Sequence, residues 1–104
     1  MSNYLNSYPK HSYEAERISV PGSTTDYDVK DNDTLFGSIG GGGRYDCCRI
    51  YSDVEVTVKF NDATNNPIKI LAGSAREWLG LISVTNIFIT NATGGAAAID
   101  IELM

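Results

Sequence analysis

Two features of the stretch GSIGGGGRYDCCRIYSDVEVTVKF (37–60) are of types that do chemistry. The first is the glycine run Gly40–Gly43. Glycine-rich loops cradle phosphates where their backbone N–H groups meet a helix N-terminus. That use needs a lysine and then Ser or Thr after the glycines, with a helix behind them. Here Arg44 and Tyr45 follow, then an alternating strand pattern, and no βαβ unit surrounds them. The run therefore reads as a flexible connection, or as a close backbone approach to a neighbouring chain. The second feature is the pair Cys47–Cys48. Adjacent side chains on a strand point to opposite faces, so the two thiols diverge. A bond between them would need a distorted backbone. A zinc site needs four ligands, and His11 is the sole further soft candidate. One cysteine reads as a small core residue and the other as half-exposed.

Other candidate chemistries reduce in the same way. His11 is the single histidine, so a His–Ser or His–Cys pair would rest on a residue of the unpatterned N-terminal arm. Asp26, Asp28, Asp31 and Asp33 are hard oxygen ligands close together, yet the bend glycine and closing glutamate of a calcium loop are missing. Turns favour aspartate for backbone hydrogen bonding. Asn32-Asp33-Thr34 and Asn91-Ala92-Thr93 match the glycan acceptor pattern and read as turn chemistry. Trp78, with Arg76 and Glu77, could form a stacking platform for a sugar, but a single tryptophan is more often buried. No constellation meets the geometry of an active site. The sequence thus predicts no catalytic residue, no metal ligand set and no cofactor.

These residues must be positioned by a small chain. With 104 residues it suits one domain with a two-layer core. Its formal charge is −5 and its eight basic residues are scattered, so neither nucleic acid nor an anionic membrane is an expected partner. The start, MSNYLNSYPKHSYEAER, lacks the charged-then-apolar pattern of an export signal. No apolar run approaches the ~20 residues that span a bilayer.

The chain divides at residue 17. Residues 1–17 are polar, without strand or helix periodicity, and carry Tyr4, Tyr8 and Tyr13. They read as an extended N-terminal arm, and spaced tyrosines suit contact with a partner. Residues 18–104 read as a β-sandwich domain. ISVPGSTTDYDVKDNDTLFGSI (18–39) gives short extended pieces between turns at Pro21-Gly22 and Asp31–Asp33, with Tyr27 and Val29 on one strand face. Val54, Val56, Val58 and Phe60 alternate with Asp53, Glu55, Thr57 and Lys59, a half-buried strand. NDATNNP (61–67) is a turn, and Ile68 and Ile70 share a face beyond it. GSAREWLG (73–80) reads as a loop or one helical turn. LISVTNIFITN (81–91) reads as a central strand buried on much of both faces. AAAIDIELM ends the chain with Ala97, Ile99, Ile101 and Leu103 inward. Short strands between turns predict an all-β class, a small antiparallel β-sandwich of jelly-roll or immunoglobulin-like type.

The back half carries a resemblance. VEVTVKFNDATNNPIKILAGSAREWLGLISVTNIFITNATGGAAAIDIEL (54–103) resembles the C-terminal β-sandwich region of small virion proteins of tailed bacteriophages. The phrases that carry it are VKFN, a turn into PIKI, then VTNIFITN, a small-residue turn and a final alternating strand. The resemblance implies a non-enzymatic virion component of decoration, cement or fibre type, assembled in the host cytoplasm. It implies other virion proteins as partners, the major capsid protein among them. A cement protein binds the symmetric joints of a shell, so a homo-oligomer is expected, a trimer above others. The expected contact residues are Tyr4, Tyr8 and Tyr13 of the arm, with Arg44 and Tyr45 at the glycine loop. The alternative is a carbohydrate- or receptor-binding sandwich of a fibre or cell surface, with Trp78 and Tyr51 as its platform.

Overall fold

A computed structural model describes residues 14–36 and 45–104 of the chain. Eight strands and one helical turn follow in order: β1 (Glu14–Val20), β2 (Thr24–Asp28), α1 (Val29–Asn32), β3 (Tyr45–Ser52), β4 (Val56–Phe60), β5 (Ile68–Ile70), β6 (Ser74–Val84), β7 (Ile87–Asn91) and β8 (Ala97–Leu103). They form two four-stranded sheets, ordered β1-β8-β3-β6 and β2-β7-β4-β5. Every pairing is antiparallel. The class is all-β, as the alternation predicts.

Alternation decides which face each strand buries. Ala97, Ile99, Ile101 and Leu103 of β8 are fully buried, and Ala98, Asp100 and Glu102 point the other way. Cys48, Ile50 and Ser52 of β3 and Ile18 and Val20 of β1 join them on the inner face of the first sheet. Val56, Val58, Ile70, Ile87 and Ile89 supply the second sheet's share of one core cluster. Each such side chain gives about 1.5–3 kcal/mol on leaving water, the main force holding the sheets together.

Polar side chains fix the turns. Asn91 is fully buried at the end of β7. Its Nδ2 donates to the carbonyls of Val20, Pro21 and Gly95 at 3.2, 3.2 and 2.9 Å, and its Oδ1 accepts from the Thr93 N–H at 3.0 Å. The Pro21-Gly22 turn is thereby tied to the Gly94-Gly95 turn. The approach is close: a Cβ on Gly22 would lie 2.7 Å from the Gly94 carbonyl. At another turn Asn61 takes φ +70. Its Oδ1 accepts from the Thr85 N–H at 2.8 Å and its Nδ2 donates to the Ser83 carbonyl at 2.7 Å.

That second clasp explains one departure from the sequence reading. LISVTNIFITN is not a single central strand. Its first part ends β6 in the first sheet, Thr85-Asn86 turns, and its second part is β7, central in the second sheet. A continuous β-branched run hides a change of sheet because both halves are apolar. The 73–80 segment is likewise no loop or helical turn: it is most of β6, paired with β3 from Ser74↔Ser52 to Leu79↔Cys47. As an edge strand it is wet on both faces, which erases alternation. Gly80, the last residue of that segment, takes φ +76 at the irregularity between Leu79 and Val84. Val29 does not share a strand face with Tyr27; it opens α1, which Asp28 caps by accepting from the Asp31 N–H at 3.1 Å. Residues 14–17, assigned to the arm, are the first half of β1. The rest of the arm lies outside the described residues.

Candidate functional site

Of the sequence-predicted contact residues, Tyr45 is described, and it stands at one end of the first sheet. Tyr4, Tyr8, Tyr13 and Arg44 themselves lie outside the described residues. Their points of attachment do not. Segment 1–13 joins β1 at Glu14, which pairs with Leu103 of β8. Segment 37–44 joins β3 at Tyr45, which pairs with Val84 of β6. Glu14, Leu103, Tyr45 and Val84 all stand at the same end of the sheet.

Tyr45 is not on the surface there. It is 2% exposed, meets Phe36 edge-on at 5.9 Å, and its hydroxyl donates to Glu14 Oε2. Phe36, buried at φ +66, donates its N–H to the same oxygen at 3.2 Å. A left-handed backbone is costly for a bulky residue. The residues flanking segment 37–44 are therefore clamped from within, by two rings packed edge-on and one carboxylate. The sequence reading of Tyr45 as a contact residue missed this, since it placed the tyrosine with the loop.

The surface at this end comes from the outer face. The N–H groups of Asp46 and Cys47 both donate to the Met104 carbonyl, at 3.0 and 2.9 Å. Two residues opposing one is a bulge. It lets Tyr45 and Cys48 both face the core while Cys47 faces out. Cys47 lies opposite Leu79 on one side and bonds Met104 on the other. Leu79 is 67% exposed and Met104 50%. Together with Cys47 they line an apolar cleft of about 150 Å³. Its far wall is charged: Arg49 stands between Glu77 at 3.5 Å and Glu102 at 3.6 Å. One cation between two carboxylates leaves that wall net negative. No periodicity pointed to this cleft, because Leu79 and Met104 fall outside any clean alternation.

The two thiols separate as the strand geometry predicts: Cys48 is buried and Cys47 half-exposed. Burial pushes the Cys48 thiol up to about 12, with a lesser push from Cys47. Cys48 is therefore inert near neutrality.

His11 and Gly40–Gly43 lie outside the described residues, and three of the four clustered aspartates have structural duties. Asp26 pairs with Lys59 at 3.1 Å. Asp28 caps α1 and accepts from Asn86 Nδ2 at 2.8 Å. Asp33 accepts from the Tyr27 hydroxyl at 3.0 Å. Burial and that hydrogen bond raise Tyr27 to about 12. Among the described residues no three His, Cys, Asp or Glu side chains converge as metal ligands. The Asn91 amide is buried and bonded, so it serves the turn rather than a glycan. Trp78 faces inward opposite Cys48, meets Phe60 edge-on at 4.8 Å and carries the Arg76 guanidinium at 5.9 Å. Tyr51 lies opposite Ala75 and Asp100 on the other face. The structure does not bring these two aromatics together into a platform.

Comparison with known proteins adds one likeness. No known protein family matches the chain, and no curated protein does. Among solved structures, the chain is similar to a de novo designed double-stranded β-helix determined by NMR in solution. The TM-score is 0.54 at 9% identity, covering 85% of this chain and 95% of the designed one. At that identity the likeness concerns the fold alone.

Proposed function

We propose that the chain is a non-enzymatic structural subunit of a bacteriophage particle, a capsid decoration or cement protein that works through protein–protein contacts. The observation that carries the contact reading is the convergence at one end of the first sheet. Exposed Leu79 and Met104, the bases of segments 1–13 and 37–44, and the charged row Arg49, Glu77 and Glu102 all lie there. An apolar centre beside charged groups is how protein interfaces are built. The resemblance of residues 54–103 to small virion proteins supplies the setting, with the major capsid protein as partner.

The finer fold type belongs to the same proposal. The orders β1-β8-β3-β6 and β2-β7-β4-β5 support reading the two sheets as a β-sandwich with jelly-roll connections over immunoglobulin-like ones. The test is incorporation. The purified chain, mixed with shells of the particle whose genome encodes it, co-sediments with them, and the Leu79→Asp variant does not. A chain that stays in the supernatant at every ratio contradicts the proposal.

A further inference from the structure

Of the buried apolar residues described, Leu35 and Phe36 alone belong to no strand or helix. Among the described residues, no backbone-to-backbone hydrogen bond joins 34–36 to a strand. Side chains hold this stretch instead. The Tyr27 hydroxyl of β2 donates to Asp33 Oδ2 at 3.0 Å. The Thr34 hydroxyl donates to Glu16 Oε1 at 2.8 Å, and the Phe36 N–H to Glu14 Oε2 at 3.2 Å. Glu14 and Glu16 alternate along β1 in step with buried Ile18 and Val20. Residues 33–36 thus form a strap from the outer strand of one sheet to the outer strand of the other. We infer that this strap opens as a unit while the two sheets stay folded, with Glu14 as its latch.

Two terms act against each other in the strap. Opening brings Leu35 and Phe36 into water, which keeps the closed form dominant. Opening also frees Phe36 from φ +66, a backbone that a bulky residue keeps only where its surroundings over-determine it. Glu14 is what over-determines it. Its Oε2 accepts both from the Phe36 N–H and from the hydroxyl of Tyr45, whose ring packs edge-on against Phe36. A stretch without a backbone ladder belongs to the least stable part of a fold, so it opens before the strands do. Glu14 directly follows segment 1–13, and Phe36 directly precedes segment 37–44. One carboxylate therefore ties the two segments together. A partner that draws Glu14 from its place opposite Leu103 opens the strap, and one that holds Glu14 there keeps it shut. The coupling is reciprocal, so a partner that takes up the open strap loosens the start of β1. The device does not depend on the phage setting.

The experiment is chymotrypsin cleavage of the full chain after Leu35 or Phe36, read by mass spectrometry across a urea series below the unfolding transition. Residues 37–44 contain no Phe, Tyr, Trp or Leu, so fragments ending at Leu35 or Phe36 report the strap itself. Cleavage tracks the open population when opening and closing are fast against it. The expected rate rises with urea at less than about a quarter of the slope of global unfolding, because the open strap exposes little surface. Glu14→Ala raises the rate at least about tenfold at unchanged slope, the scale of a lost hydrogen bond to a charged group. Glu14→Gln keeps an uncharged acceptor oxygen and raises it less. It decides the matter if Glu14→Ala does not fold. Ile70→Val, in the outer strand β5 on the far side of the second sheet from β2, leaves the rate unchanged at low urea. It weakens the closed and open forms alike. A slope equal to that of global unfolding means that the strap opens only with the whole fold, and overturns the inference. A rate that the Glu14 variants leave unchanged overturns the latch, and a rate that Ile70→Val raises as much as they do overturns the local opening.

Discussion

Replacing Asn91 with alanine is the sharpest test of how the turns are held. The side chain is fully buried and bonds three carbonyls and the Thr93 N–H, and it also accepts from the Thr93 hydroxyl at 2.6 Å. Alanine removes all of these at once. The Gly95 carbonyl keeps the Thr93 hydroxyl at 3.0 Å. The Thr93 N–H and the Pro21 carbonyl lose their side-chain partner. A stranded buried polar group costs ~1–3 kcal/mol, and these two are only partly buried, so the expected loss is ~2–4 kcal/mol. For a domain of this size each kcal/mol moves Tm by roughly 4–8 °C, so a fall of ~10 °C or more is expected. Urea unfolding followed by circular dichroism reads it as a lower midpoint at unchanged slope. Asn91→Asp separates bonding from shape. It keeps the volume but sets a carboxylate against three carbonyl oxygens, so it should destabilise at least as much. A loss under about 0.5 kcal/mol for Asn91→Ala, the scale of an ordinary surface change, would refute the reasoning.

Four further outcomes follow from the same structure. Trp78→Ala removes the Phe60 contact at the open side of the sheets; as Trp78 is half-buried, the expected cost is ~2 kcal/mol, below the full core range, by chemical denaturation. Gly22→Ala drives a Cβ against the Gly94 backbone at 2.7 Å, which has no side chain to move aside; a loss of ~1–3 kcal/mol is expected by thermal melts. Tyr27 and Cys48 are both raised to about 12, so the stability they contribute is whole below their unfolded values and is lost as pH rises toward 12; Tm measured from pH 9 to 12 should fall, and Tyr27→Phe should make that fall shallower. In native protein one thiol, Cys47, reacts with a soluble reagent, and the second reacts only with unfolding, which mass spectrometry under native and denaturing conditions distinguishes.

The core was legible wherever alternation was clean. β8 buries the residues its pattern indicates, and the opposed faces of Cys47 and Cys48 follow from strand geometry alone. What alternation does not encode is partnership. β6 was hidden because an edge strand is wetted on both faces, and Gly73 before it and Gly80 within it mimic a loop. The change of sheet inside LISVTNIFITN was hidden because it rests on Asn61, more than twenty residues away, holding Thr85 and Ser83. Of the candidate site, only the outward turn of Cys47 was legible: nothing local says that Tyr45 turns inward to Glu14, or that a bulge at Asp46-Cys47 sets Cys47 beside Leu79 and Met104. Those arrangements come from register, which joins residues distant in sequence.

The account turns on whether the end of the first sheet is an assembly surface. Light scattering of the full chain and of Leu79→Asp across a concentration series addresses this directly. Leu79 is 67% exposed, so the substitution should leave stability within about 0.5 kcal/mol. The account predicts a discrete closed oligomer, a trimer above others, for the full chain and a folded monomer for Leu79→Asp. A full chain that stays monomeric at every concentration, or an oligomer that Leu79→Asp leaves intact, would contradict it.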